Sequence, residues 1–358
     1  MANRQIFLTG ATGNVGSHLL GSLLEGGVEN VACLVRATSE EAGRARVTRA
    51  LDAAGFDGAR LGARVTAVPG NLSLPCLGMS EGAFASLAGS LGQVIHCAAW
   101  LGNREAFSIE SLANVTGTTA VVELCVRAGA PLDYISSIGV LQWTMEEGDG
   151  SLPECVLTAS PEPPDGRPGQ HAYYFSKWMA EQVAIYAAAQ VPVTVHRVGD
   201  VFSHIADAPL SAVVRAVAMM KTLPEDDALC WSQHSISDAF AGRALAAIAR
   251  RPNRELRVMH DIAHVEGASV ADVRRSFEAN GMELSRLPLD AWLTALRRDV
   301  PWLGMLTEWQ IDYLVIPKHP LPRFVNRCFT AALAACDVVM PTIGARLAPI
   351  VAMAAGAV

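Results

Sequence analysis

The sequence predicts an α/β fold: a doubly wound parallel sheet with helices on both faces, followed by a smaller, mostly helical lobe. Three observations predict it. Strand-like and helical segments alternate over about the first 200 residues, the pattern of a parallel sheet with crossover helices. The first strand enters a glycine-rich turn that opens directly into a helix. Beyond residue 200 the alternation loosens, and Pro-containing segments such as "IPKHPLPRF" take over.

Taken in order, "RQIFLTGATGNVGSHLLGSLLEGG" reads as strand, turn and helix, and "NVACLVRA" as the second strand. Residues 39–55 form a helix with acids first and arginines later, as the helix dipole prefers. "ARVTAVPGNL" is a third strand, "EGAFASLAGSL" a short helix and "GQVIHCAAW" a fourth strand. "ESLANVTGTTAVVELCVRAG" is a long helix closed by glycine. "PLDYISSIGV" is the fifth strand, "HAYYFSKWMAEQ" starts a helix, and "VPVTVHRVGDV" is the sixth strand. "HSISDAFAGRALAAIARR" is a helix, and "RELRVMHDI" is a strand that returns to the sheet. The expected division is a dinucleotide-binding domain of Rossmann type over residues 1–202, with the returning element at about 233–262. The substrate-binding lobe takes 203–232 and 263–358.

Bulk properties remove several function classes. The chain has 358 residues, 51% of them apolar, enough for a large core. The balance of 28 basic and 35 acidic residues gives −7, and no Lys/Arg run is present to recruit nucleic acid. Eight cysteines are scattered without a C-x-x-C pair or a Cys/His cluster. That pattern opposes a metal site or a disulfide framework and fits a reducing compartment. "MANRQIFLTG" runs straight into a strand with no signal peptide ahead of it, so the expected location is the cytoplasm. The apolar C-terminal segments are interrupted by Asp337, Pro341, Gly344 and Arg346. No stretch reaches the ~18–20 uncharged residues that span a bilayer. "RLAPIVAMAAGAV" therefore reads as a packed helix, with a subunit contact or a surface anchor as other readings. A monomer and a homodimer both fit.

"TGATGNVG" places Gly10, Thr12, Gly13, Asn14, Val15 and Gly16 between the first strand and the first helix. Such glycines allow a tight turn and close approach of a pyrophosphate to the helix N-terminus. A carboxylate at the end of the second strand would hold a ribose 2′-hydroxyl, whereas an arginine suits a 2′-phosphate. The sequence there is "CLVRAT", with Arg36 in that place and no acid until Glu40, which favours NADPH over NADH. Arg44 and Arg46 follow on the next helix, where a solvated face explains them equally well. Asn71 and Leu72, after the third strand, would lie near the adenine. Cys97, Ala98 and Ala99, after the fourth, would lie along the cofactor, with His96 read as buried beside it.

Ligands of such sheets bind outside the carboxyl ends of the strands. "YISSIGV" offers Ser136 and Ser137 there, of which only one faces a substrate, and Ser137 is the favoured one. "ANVTGT" supplies Asn114, and "YYFSK" supplies Tyr173 and Lys177 four residues apart on one helix face. These types suit hydride addition to a carbonyl. Tyrosine can protonate the resulting oxyanion if its pKa of about 10 is pulled down by a nearby cation. Lys177 is that cation and can also bind the nicotinamide ribose, while serine orients the carbonyl oxygen.

With these residues in hand, the chain resembles the extended short-chain dehydrogenase/reductases. Within them it is most similar to the thioester reductases, the terminal reductase domains of nonribosomal peptide and polyketide synthetases and of carboxylic acid reductases, related to the fatty acyl reductases. "FLTGATGNVGSHLL", "ACLVRATSEEAGRARVTRAL", "VPGNLSLPCLGMS", "VIHCAAW", "ESLANVTGT", "YISSIGV" and "YYFSKWMAEQV" carry the resemblance over about residues 4–200, and "LCWSQHSISDAF" extends it through Asp238. The sequence departs from the family at Asn14-Val15, at "GNL", at "HRVGDV" and at Ile236-Ser237-Asp238.

The resemblance implies NADPH-dependent reduction of an acyl thioester to aldehyde, and on to alcohol in a second round, in secondary metabolism. No carrier or adenylation domain lies within these residues, so an acyl carrier protein or CoA thioester would arrive in trans. One alternative keeps the machinery but acts on a free ketone or aldehyde of a small hydrophobic metabolite. Another is an NADPH-binding regulator without turnover. Nucleotide-sugar chemistry would call for an acid where Arg36 stands.

Overall fold

In a computed structural model, seven parallel strands form one sheet in the order β11 (Met259–Ile262), β6 (Val193–Val198), β5 (Leu132–Ser137), β4 (Leu91–His96), β1 (Gln5–Thr9), β2 (Val31–Val35), β3 (Val65–Pro69). The structure describes residues 5–100, 112–141, 172–203, 209–227, 229–232, 235–252, 254–264, 267–300 and 326–356. The segment "IPKHPLPRF" lies outside them. The first half alternates as the sequence predicts: β1 (Gln5–Thr9), α1 (Asn14–Glu25), β2 (Val31–Val35), α2 (Glu40–Ala53), a short α3 (Gly58–Gly62), β3 (Val65–Pro69), α4 (Glu81–Ser90) and β4 (Leu91–His96). A single π-helical turn, Leu112–Thr116, leads into α5 (Gly117–Ala128), which ends at Gly129 in the left-handed conformation (φ 60°). Then come β5 (Leu132–Ser137), α6 (Ala172–Tyr186) and β6 (Val193–Val198).

β1 shows why the sheet forms. Its residues alternate between two buried faces, with Phe7 in one apolar cluster and Leu8 in the other. A strand buried on both sides must be apolar throughout, and each large side chain so buried contributes roughly 1.5–3 kcal/mol. β1 pairs with β2 on one side and β4 on the other. The chain direction across the sheet reverses there, which opens a crevice at the carboxyl ends of β1 and β4.

The sixth predicted strand divides. Gly199 and Asp200 interrupt it, and β7 (Val201–Phe202) pairs with β10 (Ile236–Ser237) rather than extending the main sheet. Between them lie α7 (Pro209–Met220), β8 (Thr222–Pro224) and β9 (Cys230–Ser232). α8 (Asp238–Arg250), capped by the Ser237 hydroxyl, packs on α1 so closely that a Cβ on Gly242 would stand 2.5 Å from that of His18. β11 (Met259–Ile262) returns beside β6, parallel to it, as expected.

The remaining described elements are β12 (Ala268–Ser269), α9 (Val270–Glu278), β13 (Ser285–Leu287), α10 (Leu289–Asp299), α11 (Arg327–Ala334) and α12 (Ile343–Gly356). Val217 of α7, Phe277 of α9, Trp292 of α10 and Leu347, Ile350 and Val351 of α12 form a separate apolar cluster. The apolar C-terminal helix is thus packed into that cluster. α11 behaves differently from the stretch around it: Phe329 and Leu333 join the core between the sheet and α8, with Phe329 edge-on to Phe240. Asn326 Nδ2 donates to the Ala263 carbonyl at 2.7 Å, which anchors the start of that helix beyond β11.

Cys33, Cys76, Cys97, Cys125 and Cys336 are free thiols, but Cys328 is disulfide-bonded, which the scattered cysteines did not foreshadow. Among the described residues no helix is long and apolar enough to cross a membrane, and no His/Cys/Asp/Glu group could hold a metal ion.

Candidate active site

The turn after β1 is shaped for an anion. Gly10 has φ +80°, and a Cβ there would stand 2.6 Å from the Ala98 nitrogen. The backbone of β1 therefore meets that of the β4 loop as only glycine allows. A Cβ on Gly16 would collide with the Gly10 carbonyl. Gly13 is the exposed N-cap of α1, and its missing side chain leaves the first helical N–H groups without a side-chain cap. No acid lies in the first turn. Unfilled donors and the positive end of the helix dipole face one crevice. Thr12, Asn14 and Val15 line the same turn, each partly exposed.

Arg36 follows β2 and is exposed. Its carbonyl accepts a hydrogen bond from the Arg46 guanidinium, and Arg44 is paired with Glu40 at 2.5 Å. Arg46 thus holds the backbone that presents Arg36, and Arg44 is occupied on its own helix. Asn71 Oδ1 accepts from the Ser73 N–H at 3.0 Å, so the side chain shapes its own turn. Leu72 lies against Gly117 at the start of α5, where a Cβ would stand 3.0 Å from it. Ala99 is exposed, Ala98 and Cys97 partly so, and burial pushes the Cys97 thiol up to about 12. His96 bridges Thr9 Oγ1 (2.6 Å) and Thr118 Oγ1 (3.0 Å). Burial, helped by the charge of Lys177, drives its pKa down to about 3, so it is a neutral strut.

Three ties fix the end of β5 against α6. Lys177 Nζ donates to the Ile135 carbonyl at 2.7 Å. The Ser136 hydroxyl donates to Glu181. Gly139 packs on the ring of Tyr174 so tightly that a Cβ would overlap it. Of the two neighbouring tyrosines, Tyr174 is buried and serves this contact, whereas Tyr173 remains partly exposed on the face it shares with Lys177. Of the two serines, Ser136 is buried and committed to Glu181, whereas Ser137 is partly exposed and accepts the Gly139 N–H at 3.2 Å. That bond uses a lone pair and leaves the hydroxyl proton to be donated.

Asn114 is buried in the π turn. Its Oδ1 accepts the Trp100 N–H at 2.8 Å, and its Nδ2 donates to the Trp100 carbonyl (3.1 Å) and Ser176 Oγ (3.0 Å). Ser176 in turn donates to the Tyr173 carbonyl at 2.8 Å. Asn114 thereby joins the β4 loop to the backbone of the tyrosine helix. A π turn of this kind often marks a functional site.

Lys177 is buried, and desolvation lowers its pKa to about 8, against smaller opposing effects of Cys97 and Glu181. The carboxylate of Glu181 is held by Arg197 through Nη2 at 2.5 Å and Nε at 3.2 Å, and Arg197 Nη1 stands 3.9 Å from Asp261. Glu181 follows Lys177 by four residues, a spacing that sequence inspection could have caught; Arg197 on β6 carries no such signal. Asp200 lies two residues past Val198, the register partner of Ser137, and burial raises its pKa to about 7.

A doubly wound parallel sheet with a glycine turn opening a helix at its switch point is the architecture of a dinucleotide-binding protein. A sequence model of the NAD-binding family described as male sterility protein matches residues 8–224, and the chain belongs to that family. It is 31% identical over 306 residues to an isonitrile lipopeptide synthase of Streptomyces coeruleorubidus, covering 82% of this chain and 20% of that protein. It is 29% identical over 304 residues to the glycine betaine reductase ATRR of Emericella nidulans, covering 81% and 23% respectively. The chain thus spans less than a quarter of the length of these relatives. In structure it resembles the terminal R domain from the myxalamid PKS-NRPS biosynthetic pathway, with a TM-score of 0.76, 24% identity and coverage of 99% of this chain and 90% of that one. The reductase domain of a nonribosomal peptide synthetase from Mycobacterium tuberculosis gives the same TM-score at 20% identity, with 99% and 92% coverage.

Proposed function

We propose that the chain is an NADPH-dependent reductase of acyl thioesters, releasing an aldehyde and a thiol. The observation that carries the reading is the tie of α6 to the end of β5 through Lys177 and the Ile135 carbonyl, which supports Tyr173, Lys177 and Ser137 acting together. The names of the relatives, a lipopeptide synthase and a reductase, and the likeness to terminal reductase domains support a thioester substrate.

The crevice fits a dinucleotide: Gly10 and Gly16 leave the room, α1 presents its N–H groups, and Arg36, exposed at the end of β2, suits a 2′-phosphate. Asn71, Leu72, Cys97, Ala98 and Ala99 would flank it, and Lys177 would hold the ribose. When bound, NADPH supplies the hydride. Ser137 donates a hydrogen bond to the thioester carbonyl oxygen and fixes its orientation. Tyr173 stabilises and protonates the oxyanion that forms, and the Lys177 ammonium lowers the pKa of that tyrosine. Cleavage of the C–S bond of the hemithioacetal then gives aldehyde and thiol. Asn114 keeps the helix backbone in place. The apolar cluster of α7, α9, α10 and α12 belongs to the lobe that would select the acyl group. An acyl carrier protein or CoA would present it.

A second reading, reduction of a free aldehyde, draws on the 30% identity over 211 residues to the aldehyde reductase lnbA of Aspergillus flavus, which covers 56% of this chain. Loss of reduced-nicotinamide absorbance separates the two. The purified protein is offered acyl-CoA and acyl-pantetheine thioesters beside matched aldehydes and ketones, with NADH as control. Turnover of thioesters with NADPH is expected; turnover of free carbonyls alone would reject the thioester reading.

A further inference from the structure

Lys177 is a buried cation in an unusual setting. Its ammonium donates to the Ile135 carbonyl at 2.7 Å and stands 4.4 Å from the centre of the Tyr134 ring. Among the described residues no carboxylate pairs with it. The charged and titratable groups facing it are His96 at the end of β4, Cys97 just after it, Tyr134 from β5 and Glu181 from its own helix, and Tyr173 precedes it by one turn on that helix. His96 is neutral, the Cys97 thiol is protonated, and Glu181 is engaged by Arg197 and Ser136. An isolated buried ammonium is costly and tends to lose its proton. The negative face of an aromatic ring offsets that cost when the cation is desolvated. Tyr134 is fully buried and rests edge-tilted against His96, so its ring cannot turn away from the lysine.

We propose that Tyr134 is the positioning residue of this site: its ring face stands in for a counter-ion to the Lys177 ammonium and, with the Ile135 carbonyl, holds that ammonium beside Tyr173. The inference rests on the catalytic reading of Lys177 given above. Carbonyl and ring take two directions around Nζ and leave its third N–H for the cofactor ribose.

The test exploits composition. The sequence has three lysines, Lys177, Lys221 and Lys318. Carbon-13 labelling at lysine Cε gives three NMR resonances, and Lys177→Met assigns the one of interest. Its titration is followed in the whole protein, first with Tyr134→Phe and then with that phenylalanine fluorinated at successive ring positions, which drains the ring's negative face without changing its shape. Tyr134→Phe is expected to keep the wild-type titration near 8. The fluorinated series is expected to lower it stepwise, by about half a unit to one unit in all. NADPH affinity, read by fluorescence, should lose its alkaline limb at correspondingly lower pH.

A Lys177 titration unmoved across the fluorinated series would overturn the proposal. Failure of the catalytic reading is distinguishable: Lys177→Met and Tyr173→Phe would then reduce octanal or octanoyl-CoA as the unaltered protein does, whatever the fluorinated series shows, and the positioning role would fall with it.

Discussion

Asn114 donates a hydrogen bond to Ser176 at 3.0 Å, and that single bond joins the π turn ahead of α5 to the residue preceding Lys177. Because the Ser176 hydroxyl donates a hydrogen bond to the Tyr173 carbonyl, the pair ties a loop of β4 to the backbone that carries the tyrosine. Asn114→Leu leaves the Trp100 N–H and the Ser176 hydroxyl without that partner. The expected loss is about 1–3 kcal/mol of stability, with a larger fall in kcat than in NADPH affinity. Ser176→Ala should cost less, about 0.5–1.5 kcal/mol. Thermal unfolding together with steady-state kinetics checks both.

Tyr173→Phe removes the proposed proton donor and keeps the ring, and Tyr174 still supplies the contact with Gly139. Turnover should fall by roughly 10²–10⁴-fold while NADPH still binds. Stopped-flow reduction and fluorescence titration of NADPH separate the two effects.

Arg36→Asp exchanges an exposed guanidinium for a carboxylate at the end of β2. NADPH affinity should fall by about one to two orders of magnitude and NADH affinity should rise, because a carboxylate accepts from a ribose hydroxyl and repels a phosphate. Isothermal titration with both dinucleotides decides it. Gly16→Ala, by contrast, should weaken both together, since its Cβ would strike the Gly10 carbonyl.

Asp200 gives stability a pH dependence of known sign. Burial raises its folded pKa to about 7, above the ordinary value of 3.8. The folded protein therefore binds the proton more tightly than the unfolded chain. The contribution is fully present below about pH 4 and is lost as pH rises through 7. Asp200→Asn should remove this slope and stabilise the protein at pH 8 by on the order of 1 kcal/mol or more. Denaturant unfolding at a series of pH values measures it.

The central strands were legible because they are short apolar runs bounded by turn residues, as β1 is by Gly10. The split between β6 and β7 was not, because Gly199-Asp200 sits within a run of strand formers and only the pairing of β7 with β10 separates them. Asn114 was legible as a candidate on a regular helix, without the turn that holds it. The π turn around it depends on Trp100, a partner that no local pattern shows. That Tyr173 and Lys177 share a helix face was readable from their spacing, and the alternation of β5 separated buried Ser136 from partly exposed Ser137. Tyr134 was invisible, since a buried aromatic on a central strand looks like core packing until the lysine is seen over its ring. α11 was placed with the lobe by its position in the chain, yet Phe329 packs beside Phe240, a contact between distant segments.

The most direct test of the central claim is a single-turnover reaction with NADPH deuterated at the transferring C4 position and octanoyl-pantetheine as the thioester. The account predicts octanal carrying deuterium at the carbonyl carbon, one free thiol released per NADPH consumed, and both products formed roughly 10²–10⁴-fold more slowly with Tyr173→Phe. NADPH consumed without thiol release, or label found only in the alcohol of an added free aldehyde or ketone, would contradict it.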